Sequence, residues 1–247
     1  MSEKEIRAAK APKRKSFPSI EQVRKALFSM PNSSDIEKRD QALIAFTFLT
    51  GMRDSAIISL QLKHIDLSRE YVNQNPNEVK TKFSKQIDTY FFPVGDDIKA
   101  VFINWVGYLK ETLLYDMNAP LFPQTRLGQD KNMCFAPMGL DNNPWSTASS
   151  MRGIFKKAFE NAGLPYFTPH LFRDTLAHFG QEKCTSPEEF KAWSQNLGHE
   201  NTLTTFTSYG YVDPHRQGDL IKNIGNNKNK EGDLKEIISR LKKIQGE

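Results

Sequence analysis

Cysteine is almost absent: Cys134 and Cys184 are the only two in 247 residues, and neither belongs to a C-x-x-C or Cys/His cluster. A disulfide framework or a structural zinc site is therefore excluded as the basis of the fold, and a reducing compartment is expected. Long hydrophobic runs are missing too. No apolar stretch approaches the roughly 18 residues that span a bilayer, and the Lys/Arg-studded start lacks the apolar core of a secretory signal. A cytoplasmic, nucleoid-associated location is the expectation.

What is present is a hydrophobic content of 38%, enough for a real core, and a formal net charge of +5. An excess of this sign favours acidic partners such as nucleic acid. Residues 1–18 are polar and basic and read as a linker or arm. Order begins at Ser19, where Ser19 and Gln22 form a capping-box pattern ahead of Val23, Leu27 and Met30. A second helix is expected from Asp35 to Thr50, burying Leu43, Phe46 and Leu49 and ended by Gly51, with Arg53 just beyond the break.

From Tyr71 to Val94 the period changes. The EVKTK segment, a short polar turn and TYFFPV read as a small antiparallel sheet. On a strand, Lys80 and Lys82 would share one face. Helix is expected again over Asp96–Leu114, then mostly loop from Pro120 to Pro144, where proline, glycine and asparagine concentrate. Further helices open after Ser146, running to Asn161, near Pro169, and at Ser186-Pro187-Glu188-Glu189, which combines a cap, a first-turn proline and a capping-box acid.

Asp213-Pro214 is another helix start. Gly225–Gly232 reads as a hinge, and Leu234, Ile237, Ile238, Leu241 and Ile244 form an apolar stripe that needs a surface to cover, in its own domain or on a neighbouring protomer. The expected architecture is mainly α with a small antiparallel β-sheet. Residues 19–224 form the principal domain, followed by a hinge and C-terminal helix over 225–247.

Four separated segments hold polar groups whose chemistry is complementary: Arg53; Lys80 and Lys82; His170 and Arg173; and His199 with Tyr209 and Tyr211. Each alone has a bland reading as a surface or half-buried residue. As a set they match the needs of attack on a phosphodiester. Charge builds on two non-bridging oxygens, and guanidinium forks meet that geometry with bidentate bonds, so Arg53 and Arg173 would clamp the phosphate. On a helix, His170 and Arg173 stand three apart and share a face. Imidazoles at His170 and His199 can donate to the same oxygens or accept a phenol proton. A tyrosine hydroxyl supplies the nucleophile. A lysine whose pKa is lowered by neighbouring arginines is a suitable general acid for the departing 5′ oxygen, with Ser84 or Lys85 as possible helpers. No carboxylate cluster suggests a divalent ion, so arginines would supply the electrostatic stabilisation.

The order Arg, Lys, His-x-x-Arg, Gly-His, Tyr resembles the tyrosine recombinases, or phage integrases, over roughly Ser19 to Pro214. TGMRDSAIISLQLKHIDL is similar to the family's first-arginine block, VKTK to its β-hairpin lysine block, TPHLFRDTLAHF to its central box and LGHENTLTTFTSYGYV to its closing box. The resemblance implies the integrase catalytic-domain fold, a 3′-phosphotyrosyl intermediate, no cofactor or metal, and Arg53, Lys80, His170, Arg173 and His199 around the phosphate with Tyr209 as nucleophile. The implied partners are double-stranded DNA and further recombinase protomers in a tetrameric synapse, in a bacterial or phage setting. Related readings are a type IB topoisomerase-like nicking-closing enzyme and a DNA-binding accessory protein without turnover.

The chain departs from the family pattern in three places. Ala56 stands where an acid usually follows the first arginine by three positions. The interval from His199 to the tyrosine is about one residue long, which keeps Tyr211 as an alternative to Tyr209. Only a short basic arm precedes Ser19, where the family carries a helical DNA-clamping domain, so a fragment that binds DNA weakly by itself is expected.

Overall fold

Helix α1 (Ile20–Phe28) begins where its cap predicts: Ser19 Oγ accepts the Gln22 N–H at 3.2 Å, and Gln22 Oε1 accepts the Ser19 N–H at 2.9 Å. Two of the helix-start donors are thereby satisfied reciprocally. The same device, Ser34 with Glu37, starts α2 (Asp35–Thr50). These elements belong to a computed structural model that describes residues 16–129 and 133–199. Tyr209, Tyr211, most of the basic arm, the Asp213-Pro214 start, the hinge and the apolar C-terminal stripe lie outside the described residues.

Every residue of α2 from Gln41 to Thr50 is buried, so this helix is wrapped on all sides rather than amphipathic. Its two buried hydroxyls are satisfied within the helix, Thr47 donating to Leu43 O at 2.7 Å and Thr50 to Phe46 O at 2.8 Å. Around it pack α4 (Asp96–Gly107), α5 (Ser149–Asn161) and α6 (Leu171–Lys183). Phe46 meets Phe102 of α4 at a centroid distance of 4.7 Å, and Phe48 meets Phe172 of α6 at 5.6 Å. Phe172 in turn lies 5.1 Å from Phe155 of α5. Each of these rings is fully buried, and burial at this scale contributes about 1.5–3 kcal/mol per side chain. The α2 axis is thus the fixed frame from which the residues after Gly51 emerge.

The expected sheet is present with one correction. Three antiparallel strands, β1 (Ile65–Asp66), β2 (Tyr71–Gln74) and β3 (Ile87–Tyr90), lie in chain order, in register from Tyr71↔Tyr90 to Gln74↔Ile87. EVKTK is not a strand, and Lys80 and Lys82 do not share a strand face. Asn75 O accepts the N–H groups of Glu78 and Val79, at 3.0 and 2.8 Å, turning the chain. Val79 is buried, and the Lys80 peptide is bound by serine hydroxyls instead of a neighbouring strand. The result is a loop over residues 75–86 in which Phe83 and Ser84 both hold left-handed φ, 61° and 51°.

A second correction concerns Pro120–Pro144, which is not mostly loop. It contains a ribbon of β4 (Pro123–Gln129) paired antiparallel with β5 (Phe135–Pro144). Proline is tolerated because each strand of a two-stranded ribbon has one unpaired edge, and register shifts between Pro123 and Gln124 and between Thr125 and Leu127 take up the irregularity. Buried Arg39 of α2 fastens the ribbon's base, donating to Pro123 O at 2.9 Å and Thr125 Oγ1 at 3.0 Å. Helix α5 opens at Ser149, after Ser146, and runs to Asn161 as expected. The last described helix, α7 (Pro187–Asn196), has the expected Ser186/Glu189 cap. Among the described residues no helix is long and apolar enough to cross a membrane.

Candidate active site

Three helix ends converge. Helix α2 stops at Gly51, whose φ of +58° is the left-handed cap that glycine adopts at least cost; a Cβ there would lie 2.8 Å from both Leu176 and Leu197. Helix α7 stops at Leu197, followed by Gly198 (φ 67°) and His199. Between these two ends lies the first turn of α6, carrying Arg173.

Arg173 is buried, with 4% of its surface exposed, and its guanidinium ties the ends together. Nη1 donates to Gly51 O, Nη2 donates to Leu197 O at 2.6 Å, and Nη2 lies 3.0 Å from His199 Nε2. Since arginine only donates, His199 Nε2 is the acceptor and the imidazole proton belongs on Nδ1. Burial, reinforced by the charge of Arg53, pulls Arg173 down to about 9. Burial together with the charges of Arg173, Arg53 and His170 pulls His199 down to about 4. At neutral pH the site therefore holds a charged guanidinium against a neutral imidazole of fixed tautomer.

Arg53 is half-buried and sits at the start of the short helix α3 (Asp54–Ile57), its own pKa lowered by burial. It lines a small cavity with Arg173 and also an open cleft of about 700 Å³ with His199. The wall of that cleft carries Lys82 and Lys85 against one carboxylate, Asp88, which already accepts the Tyr71 hydroxyl at 2.5 Å. The excess of cations suits a phosphate. His170 is exposed at the head of α6, close enough for its charge to act on His199. Arg53, Arg173, His170 and His199 are thus brought together from separated segments. Lys80 is not: it lines a different cavity, with Asp116 and Trp145, whereas Lys82 faces the cleft. Tyr209 lies outside the described residues.

A sequence profile of the phage integrase family matches residues 20–216. The chain belongs to the phage integrase family. Solved structures agree in fold. XerA recombinase superposes with a TM-score of 0.57 at 18% identity, covering 87% of this chain and 65% of that one. A lambda integrase dimer bound to a COC′ core site gives 0.54 at 17%, over 85% and 66%. The Tn1549 transposon integrase with circular intermediate DNA gives 0.55 at 16%, over 85% and 66%. This integrase chain accordingly spans about two thirds of the length of these structures, and 55% of XerH recombinase. No curated protein matches it by sequence.

Sequence reasoning missed two supports of the integrase site. Asn196 clasps β3, with Tyr90 N–H donating to Asn196 Oδ1 at 2.7 Å and Asn196 Nδ2 donating to Tyr90 O at 2.8 Å, which fixes where His199 emerges. An asparagine near a helix end gives no signal for that role. Arg152 of α5 binds Asp54, 98 positions away in the chain, and nothing local in the sequence pairs them.

Proposed function

We propose that this chain is the catalytic part of a site-specific DNA recombinase, acting on duplex DNA through a tyrosyl ester. The observation that carries this is the convergence of three distant segments: Arg53 shares a small cavity with Arg173 and the cationic cleft with His199, and Arg173 lies 3.0 Å from His199. In the step proposed, the Tyr209 oxygen attacks the scissile phosphorus, forming a Tyr–O–P ester as the P–O5′ bond breaks; Tyr211 is the alternative nucleophile. The phenol proton passes to a neutral imidazole of the site or to water, and the departing 5′ oxygen takes a proton from a lysine of the 75–86 loop. Arg53 and Arg173 hold the two non-bridging oxygens, whose charge grows in the transition state. Reversal by the 5′ hydroxyl of a partner strand completes exchange, and the ester conserves the bond energy, so no ATP is required. Metal-free operation is part of the proposal, since guanidinium groups occupy the stabilising role.

For the general acid, the geometry supports Lys82 over Lys80. A tetrameric synapse of protomers on two duplexes is proposed as the working assembly, with residues 1–18 as a basic arm and 225–247 as a hinge and helix. That lambda and Tn1549 integrases were solved on DNA supports the choice of partner. The test uses a nicked suicide duplex bearing the site that the protein selects from a randomised DNA pool. Covalent adduct is expected with the parent chain and lost in Tyr209→Phe, with peptide mass placing the DNA on residue 209. Adduct that survives in both Tyr209→Phe and Tyr211→Phe refutes the reading.

A further inference from the structure

The short helix α3 has too few residues to hold itself. Four residues cannot repay helix nucleation, so the position of α3 is set by what grips it from outside. Its buried side chains, Ala56 and Ile57, fix its depth. Ala56 brings no polar group, so apolar contact there leaves the rotation of α3 about its axis poorly constrained. The polar grip is Asp54. Its Oδ1 accepts the Ser55 N–H at 2.9 Å, and its Oδ2 accepts from Arg152 Nη2 at 2.6 Å and Nε at 3.1 Å. Two donors of one planar guanidinium define an orientation that a single contact would not.

Two parts of the site hang from α3. Arg53 is its first flanking residue, and Arg53 O accepts the N–H groups of Ala56 and Ile57, each at 3.0 Å. On another side α3 and the residues after it hold the lysine loop: Lys80 N–H donates to Ser59 Oγ at 2.9 Å, Ser59 Oγ donates to Ala56 O at 2.8 Å, and Ser55 Oγ reaches Lys80 O at 3.4 Å. Lys82 follows two positions on. A rotation of α3 therefore shifts the first arginine and the root of the lysine loop at once.

We infer that the Asp54–Arg152 pair is a positioning clamp, through which α5 sets the placement of Arg53 and the 75–86 loop at the phosphate cleft. This rests on the proposal that Arg53 holds the scissile phosphate. Asp54 and Arg152 are positioning residues; neither lines the cleft. Asp54 is half-buried, with 26% of its side chain exposed, and Arg152 is 55% exposed, so solvent screening keeps the pair's worth to global stability small. Its worth to the reaction is larger, because a misplacement of about 1 Å costs on the order of 100-fold in rate.

The experiment compares the full chain with Asp54→Asn, Arg152→Gln, Asp54→Glu and Arg53→Ala on the nicked suicide duplex. Affinity, adduct rate at saturating DNA and melting temperature are each measured. Asp54→Asn and Arg152→Gln are expected to slow the saturated rate roughly 10- to 100-fold, with affinity and melting temperature held. Asp54→Glu, which keeps the carboxylate, should recover most of the rate. The clamp is overturned if the two neutral variants react at the parent rate while Arg53→Ala is inactive, if Asp54→Glu is as slow as Asp54→Asn, or if rate falls only in step with melting temperature. An Arg53→Ala chain that reacts normally overturns the proposed function itself.

Discussion

Arg173→Lys tests why the central cation is a guanidinium. Burial and the Arg53 charge bring Arg173 to about 9, so it keeps its proton throughout the neutral range. An ammonium starts about two units less basic. The same burial would pull the lysine well below its ordinary pKa. Because only the charged form can hold a phosphate, adduct formation by the lysine variant is expected to be lost as pH rises through that lowered pKa, while the parent stays active. Stability has the opposite sign. The unfolded lysine keeps its proton up to its ordinary pKa while the folded one has released it, so folding of the variant strengthens as pH rises towards the ordinary lysine pKa of about 10.4. Geometry adds a second loss. The arginine fork reaches Gly51 O and Leu197 O on two ends, and one ammonium cannot span both. A buried carbonyl left without a donor costs about 1–3 kcal/mol, which at this chain length lowers the melting temperature by about 2–12 °C. The assays are thermal melts and adduct rates between about pH 5.5 and pH 9. A variant with the parent's melting temperature and a flat pH profile would refute the account of Arg173 as a buried clasp.

For His199, depressed to about 4, the unfolded chain binds a proton the folded site refuses, so stability is expected to fall as pH drops from about 6.5 towards about 4; His199→Gln, which keeps an acceptor for Arg173, should flatten that limb in melts across the range. Gly51→Ala forces a left-handed alanine, costing about 1–2 kcal/mol, and drives a Cβ against Leu176 and Leu197. It should lower the melting temperature by at least about 2 °C and slow adduct formation, since Gly51 O anchors Arg173. Lys82→Ala should slow cleavage far more than Lys80→Ala, and a substrate with a 5′-bridging sulfur, whose thiolate leaves without a proton, should erase the Lys82→Ala defect. Equal defects from the two lysines would remove the preference for Lys82.

Helix starts and stops were legible because they are local. Ser19/Gln22, Ser186/Glu189 and Gly51 each act within one turn of chain, and all appear as expected. The family blocks also gave Arg53, His170, Arg173 and His199 as one group. The errors fall where the partner of a backbone group is remote. Lys80 leaves the strand pattern because Ser55 and Ser59 take its peptide. The β4–β5 ribbon forms despite its prolines because Arg39, far back in the chain, pins its base. Propensity in a short window contains neither fact.

The same distinction explains how main-chain groups from remote helix ends hold a deeply buried arginine beside a low-pKa imidazole. Main-chain carbonyls at the ends of α2 and α7 supply partial negative charge, as helix C-termini do, and Gly51 O and Leu197 O take the two guanidinium contacts that an acid would take in an ion pair. A carboxylate there would neutralise the guanidinium and raise His199 towards its charged form. Carbonyl dipoles orient Arg173 without an ion pair at these two contacts, so its positive charge, which buried Asp174 offsets only in part, remains for an incoming phosphate. The carboxylate nearest Arg53 in sequence, half-buried Asp54, is already paired with Arg152, so its charge is engaged away from the cleft.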